Sequence, residues 1–416
     1  MGKRALVFGA SGVTGWSFIN EFLNDYPKKD IWEGVVAMTN RPLKQEDSLW
    51  PADPRLQIVS GINLLGSQQE IEQSLQQNVK DVDKITHVYY LAYKANAEMQ
   101  QELEDAVDMF KRSTIAMDKL SPALELVVLQ TGAKMYGCHL LENHPTDYIH
   151  VPLSEDQPRL KQPYHDRLFY HPQLDWIIEY AKDKKWSWCE TRPDIIIGFV
   201  PNQNFYSLAT VLGIFLSLYA SVEGEGKECP FPGTEKSWAA KSNDSSSDMI
   251  ARQTIHLSLN LPKEKNGEGF NVADAKEPES WSTKWPTLCA YFGLKGTGPG
   301  KESQEVRKYI NEHIEDWKKL EGLYGLKKGV ADSDLTFKGF EVSRNAQMIL
   351  YFQLLMLAQY FLMVQFDFDR QYDMTKMYST PKSNPFTEER STEHAWGLVF
   401  DRMRGGKLIP QDSKAT

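Results

Sequence analysis

Reducing a carbonyl, or a double bond conjugated to one, leaves negative charge on oxygen. A tyrosine phenol beside a lysine ammonium is suited to receive it. The chain offers two pairs at Y-x-x-x-K spacing, Tyr180 with Lys184 and Tyr291 with Lys295, and a third pair distant in sequence, Tyr170 with Lys134. Their usefulness depends on which ends of their elements they occupy. Residues 172–184 read as a helix with proline in its first turn, feeding a strand at 186–192. Tyr180 then falls near the amino ends of the strands, whereas ligands of open α/β sheets bind outside the carboxyl ends. Tyr170 lies at the other end of the same helix, roughly 15 Å away at about 1.5 Å per residue. Lys134 follows shortly after a strand at 124–130, on that same carboxyl edge. The spacing-matched pairs are therefore expected to be bystanders, and Tyr170 with Lys134 the reactive residues; Tyr291 falls late, outside the alternating part of the chain.

A second group of residues is placed to hold phosphate. Residues 4–23 run from an apolar stretch, 5–8, into Gly9, Gly12 and Gly15, after which Trp16, Ile19, Phe22 and Leu23 recur at helical spacing. Strand, tight turn and helix follow. Glycines there let the backbone pass close to a pyrophosphate while the free N–H groups of the helix start face its charge. Gly9, Ser11, Gly12, Val13, Thr14 and Gly15 are the expected contacts. At the end of the next strand an NAD-preferring fold would place a carboxylate on the adenosine ribose; this chain has Thr39, Asn40 and Arg41 instead. A guanidinium with no acid beside it favours a 2′-phosphate, hence NADP(H).

The elements that must position these residues alternate along the chain. Strands are expected at 33–39, 56–60, 85–92, 124–130 and 186–192, with helices at 68–77, 95–119 and 172–184 between them. This is the doubly wound pattern of a parallel-sheet Rossmann α/β fold. Residues 131–169 read as a long loop at the carboxyl edge, and loops of that length are usually functional. Residues 1–203 form the expected NADP(H)-binding domain, with 224–275 partly returning to the sheet through a late strand at 269–273. Residues 242–248 read as a serine-rich loop. Residues 204–223 and 276–416 read as a mostly helical cap over a substrate, with Phe205, Tyr206 and Phe352 as candidate pocket walls.

Composition narrows the partner. A net charge of −9 and a pI near 5.6 argue against nucleic acid or an anionic membrane surface. A hydrophobic small molecule is the expected partner, and a homodimer is left open. The four cysteines, Cys138, Cys189, Cys229 and Cys289, lack metal-site or disulfide-framework spacing, so no metal is expected. Glutamines recur through 346–366, the only stretch that could suggest a membrane span, so a buried helix is expected there. No charged-then-apolar leader precedes the first strand, and a cytoplasmic location is expected.

Gly9-Ala10-Ser11-Gly12-Val13-Thr14-Gly15, Thr39-Asn40-Arg41-Pro42, Thr131-Gly132-Ala133-Lys134-Met135-Tyr136, Leu168-Phe169-Tyr170, Arg192-Pro193 through Gly198-Phe199, Phe231-Pro232-Gly233 and Lys407-Leu408-Ile409-Pro410 occur in this order. The chain resembles the progesterone 5β-reductase and iridoid synthase-like (PRISE) branch of the extended short-chain dehydrogenases, over nearly its whole length. The resemblance implies catalysis by Tyr170 and Lys134. It also implies cofactor contacts from Asn63, Leu64, Thr131, Gly132, Lys134, Tyr170, Pro193 and Ile196. Met135 stands where that family has histidine, Phe169 where it has a first tyrosine, and Asn63 where an aspartate often contacts the adenine. The implied activity is NADPH-dependent hydride transfer to an activated C=C or C=O of a hydrophobic small molecule. A non-redox cyclase or isomerase on the same fold, and a nucleotide-sensing binding protein, are the alternatives; retention of both Tyr170 and Lys134 argues against the last.

Overall fold

The computed structural model describes residues 2–96, 98–141, 149–201, 207–301, 303–331 and 361–411. Seven strands, β1 (Lys3–Phe8), β2 (Trp32–Thr39), β3 (Leu56–Ser60), β4 (His87–Tyr90), β5 (Leu126–Gln130), β6 (Ser187–Pro193) and β7 (Gly269–Val272), pair in parallel in the order β7-β6-β5-β4-β1-β2-β3. Parallel pairing requires crossovers, and the connections between successive strands supply α1 (Val13–Leu23), α2 (Gln68–Asn78), α3 (Met99–Leu120), α4 (Tyr170–Tyr180) and α5 (Ser247–Asn260).

A sheet covered on both faces needs apolar residues at successive positions of each strand. Leu6, Phe8, Val36, Met38, Val88, Tyr90, Val127 and Leu129 pack with Ile71 and Leu75 of α2, Met109, Phe110 and Met117 of α3, and Leu174 and Ile177 of α4. The alternate residues Ala5, Val7, Val35 and Ala37 are equally buried and point to the opposite face. α1 and α5 lie on that second face. Ser17 and Ser247 meet there at 2.7 Å, and Tyr89 and Ser258 at 2.7 Å. Each large apolar side chain buried in this way contributes about 1.5–3 kcal/mol. The strand order reverses between β1 and β4, so the crevice for a ligand opens beyond Phe8 and Tyr90.

Two compact units divide the chain: Met1–Asp194 with Ser247–Ala273 and Asp373–Glu388, and Ile195–Ser246 with Asp274–Tyr372 and Glu389–Thr416. The first holds the sheet. The second contains the helices Leu208–Glu223, Trp281–Tyr291, Ile314–Tyr324 and Thr392–Gly405, and its core is aromatic, with Phe215, Phe231, Trp281, Trp285, Trp396 and Phe400 buried. Phe205, Tyr206 and Phe352, the candidate pocket walls, lie outside the described residues.

Two local expectations are corrected. The serine-rich stretch is not a loop: Lys241–Ser242 and Ser245–Ser246 are short strands, and Ser247 opens α5. α5 is buried at most of its positions, so its apolar pattern lacks the one-sided stripe that marks a surface helix. α4 begins at Tyr170 rather than at Pro172, because a first-turn residue needs no N–H partner and proline there costs nothing. Among the described residues no helix is long and apolar enough to cross a membrane, and no group of three or more ligating side chains could hold a metal. All four cysteines are free and buried.

Candidate active site

The turn after β1 is shaped by two glycines with no room for a side chain. Gly9 takes φ +86°, and a β-carbon on it would stand 2.8 Å from the backbone of Leu91 beyond β4. One on Gly15 would stand 2.2 Å from the Gly9 carbonyl oxygen. Gly12 differs: its nearest obstacle is that same oxygen at 3.2 Å, and its backbone is extended. Gly12 therefore leaves a face open to an approaching ligand. It caps α1 without a side-chain hydrogen bond, and no acidic residue occupies the first turn. The N–H groups of Val13, Thr14 and Gly15 have no acceptor within the helix, and the positive end of its dipole is uncompensated. These features fit a pyrophosphate.

At the end of β2, buried Thr39 fastens the turn, its hydroxyl donating to the Arg41 carbonyl at 2.8 Å and meeting the Ser60 hydroxyl at 2.7 Å. Asn40 and Arg41 are exposed, and among the described residues no carboxylate is paired with Arg41. Asn63 follows β3, where its side-chain oxygen accepts from the Leu65 N–H at 3.1 Å; Leu64 leans on the core. All these positions share the carboxyl edge of the sheet, as does Pro193, the last residue of β6. Ile196 belongs to the second unit, where it pairs with Ser245.

Beyond β5 the chain turns through Gly132 into the helical turn Ala133–Tyr136, which carries Lys134. Tyr170 opens α4, and its phenolic oxygen lies 3.7 Å from where a β-carbon on Gly132 would stand. Gly132 and Tyr170 thus come together, with Lys134 two residues further along the chain. Phe169 stacks on Tyr93 with centroids 5.5 Å apart and meets Tyr170 edge-on at 4.7 Å, so aromatic surface flanks the phenol. The Lys134 side chain is exposed. Desolvation by the surrounding protein lowers its pKa, opposed by the Glu102 carboxylate. Two imidazoles nearby are neutral. Burial, then Lys134 and His171, holds His139 down to about 3, and burial, then His165, holds His171 at about 4.

The tyrosines of the spacing-matched pairs are engaged elsewhere. Asp118 accepts from Tyr180, Lys184 and Trp186, each at 2.7 Å. Burial and then the Asp118 carboxylate push the Tyr180 phenol up to about 12, opposite to what a proton donor requires. Tyr291 donates to Asp401 at 2.6 Å in the second unit, under the Arg404 guanidinium.

Sequence reasoning missed the support beneath the Lys134 turn. Glu190 and Arg192 of β6 are buried and joined at 2.7 Å, and Thr131 donates to Glu190 at 2.5 Å. Opposite charges two apart in a strand of a doubly covered parallel sheet were the available signal.

The model of the PRISE-like Rossmann-fold domain matches residues 5–410. A short chain dehydrogenase of Aspergillus calidoustus, ausT, is 38% identical over 299 residues, covering 71% of this chain and 72% of that protein. An (S)-8-oxocitronellyl enol synthase of Nepeta racemosa, ISY2, is 30% identical over 306 residues, covering 73% and 71%. Among solved structures, UDP-glucuronic acid 4-epimerase from Bacillus cereus in complex with NAD aligns over 96% of each chain with a TM-score of 0.55 at 13% identity, a likeness of fold. Matched by the family model from its first strand to its closing Lys407-Leu408-Ile409-Pro410, the chain belongs to the PRISE-like branch of the extended short-chain dehydrogenases, Rossmann-fold oxidoreductases that use a nicotinamide dinucleotide.

Proposed function

We propose that the protein is an NADPH-dependent reductase acting on an activated C=C, or on C=O, of a hydrophobic small molecule. The observation that carries this reading is the meeting of Tyr170 with Gly132, two residues from Lys134, on the carboxyl edge of the sheet, while the tyrosines of both Y-x-x-x-K pairs are hydrogen-bonded to aspartates elsewhere. A nicotinamide held in the crevice supplies hydride to carbon. The α1 start and Gly12 hold the pyrophosphate, and Arg41 clamps the 2′-phosphate that distinguishes NADPH. As the substrate carbon gains its electron pair, charge moves to the carbonyl oxygen. Tyr170 donates a hydrogen bond to that oxygen, and the Lys134 ammonium keeps the phenol acidic and the ribose in place. The name of the Nepeta relative contains an enol; conjugate addition of hydride to an enone or enal likewise ends with the charge on oxygen, which favours 1,4-reduction.

The test is loss of the reduced-nicotinamide absorbance band with a panel of enones, enals and ketones. Turnover of at least one, faster with NADPH than NADH, is expected. Tight NADPH binding with no turnover on any member would reject the redox reading in favour of a cyclase or isomerase, or of a nucleotide-sensing binding protein.

A further inference from the structure

The turn that presents Lys134 is held at both ends by a buried polar network. At its start, the Thr131 hydroxyl donates to Glu190 Oε1 at 2.5 Å. At its end, Tyr136 Oη accepts from Arg192 Nη1 at 3.2 Å and donates to Asn271 Oδ1 at 2.6 Å. Glu190 and Arg192, two apart on β6, close the circuit through Nη2 and Oε2 at 2.7 Å. Asn271 is the β7 register partner of Arg192; its side-chain amide donates to the Leu153 carbonyl at 2.8 Å, and its backbone N–H to Glu155 at 2.6 Å. Thr131, Tyr136, Glu190, Arg192 and Asn271 are each less than 10% exposed.

Stability does not explain such a network. Removing a carboxylate and a guanidinium from water costs several kcal/mol per ion, and apolar residues of the same volume generally do as well. What the network adds is direction: hydrogen bonds of fixed geometry at both ends of one short turn. β7 makes room for it. Gly269 faces Glu190 in the register, and a β-carbon there would stand 2.7 Å from Glu190 Oε2 and 2.9 Å from Arg192 Nη2.

We infer that Glu190 and Arg192 are positioning residues, which act through Thr131 and Tyr136 to set where the Lys134 ammonium stands relative to the cofactor ribose. The inference rests on the role proposed for Lys134 above. It makes Tyr136 a link with no chemistry of its own, and Gly269 a site from which the pair can be displaced without touching the turn.

The experiment is a double-mutant cycle in the full chain, read by the fluorescence change of NADPH on binding and by the rate of 2-cyclohexen-1-one reduction as a probe substrate. Tyr136→Phe removes only the hydroxyl that joins Arg192 to the turn and should weaken NADPH about 5-fold, with a similar loss of rate. Lys134→Ala should weaken it roughly 10-fold, and the double variant no further, because a misplaced turn has no ammonium left to misplace. Gly269→Ala, which pushes the ion pair from the far side, should reproduce Tyr136→Phe and replaces it if that variant fails to fold. Losses that multiply in the double variant would show a general structural role and overturn the positioning inference while leaving Lys134's role intact. No effect of either Tyr136→Phe or Gly269→Ala on NADPH would also overturn it. If Lys134→Ala bound NADPH unchanged, the catalytic reading would fall and the inference with it.

Discussion

Replacing tyrosine by phenylalanine at the two ends of α4 should produce opposite phenotypes. Tyr180→Phe deletes one of three hydrogen bonds to Asp118 and leaves those from Lys184 and Trp186 at 2.7 Å. A hydrogen bond to a charged group contributes about 1.5–3 kcal/mol when buried. Tyr180 is half-buried and water can replace the phenol, so the loss should be about 1 kcal/mol, or roughly 2 °C in melting temperature, with kcat unchanged. Tyr170→Phe removes an oxygen that sits beside Gly132, two residues from Lys134, where negative charge is proposed to develop. Loss of one such donor lowers the rate on the order of 10²- to 10³-fold, less for an enone that delocalises charge well, while NADPH affinity and melting temperature hold. Thermal melts and NADPH consumption with the best substrate of the panel read the two effects separately. An inactive Tyr180→Phe alongside a silent Tyr170→Phe would refute the placement of the reactive phenol.

The other expectations are narrower. Arg41→Ala should weaken NADPH roughly 10-fold or more and leave NADH nearly unchanged, since one charge-assisted contact is worth about 1.5–3 kcal/mol; equal weakening of both would show that Arg41 does not read the phosphate. Gly15→Ala should cost about 1–3 kcal/mol of stability as well as cofactor binding, because its β-carbon would meet the Gly9 carbonyl, whereas Gly12→Ala, whose β-carbon would stand 3.2 Å from that oxygen, should cost less stability and mainly lose binding; a stable Gly15→Ala would contradict the tight turn. Asp274 is buried, with Oδ1 accepting from the Ser246 N–H and hydroxyl and Oδ2 unpartnered among the described residues; burial, reinforced by Asp244, raises its pKa from 3.8 to about 7. A folded pKa above the unfolded one means that the folded state holds a proton the unfolded chain releases, so the carboxyl costs stability increasingly as pH climbs from about 4 to 7, up to about 4 kcal/mol. Asp274→Asn should therefore raise the melting temperature at about pH 8 and change it little near pH 4; a gain of equal size at both would refute the titration.

What the sequence determined by itself was whatever local spacing encodes. Runs such as 5–8 and 56–60 flanked by turn residues gave strands, helical spacing after Gly15 gave α1, and strict alternation of the two gave a parallel sheet, because short connections leave right-handed crossovers as the accessible topology. Helix polarity alone separated Tyr170 from Tyr180. Tertiary structure decided what depends on neighbours distant in the chain. That Asp118 occupies both Tyr180 and Lys184 joins α3 to the end of α4 and the segment after it, and no spacing rule links them. α5 was hidden because burial on most sides erases the periodicity that marks a surface helix. The circuit from Thr131 through Glu190 and Arg192 to Tyr136 and Asn271 joins two strands and the turn that follows β5, and a buried charge becomes tolerable only when its partner arrives from elsewhere in the fold.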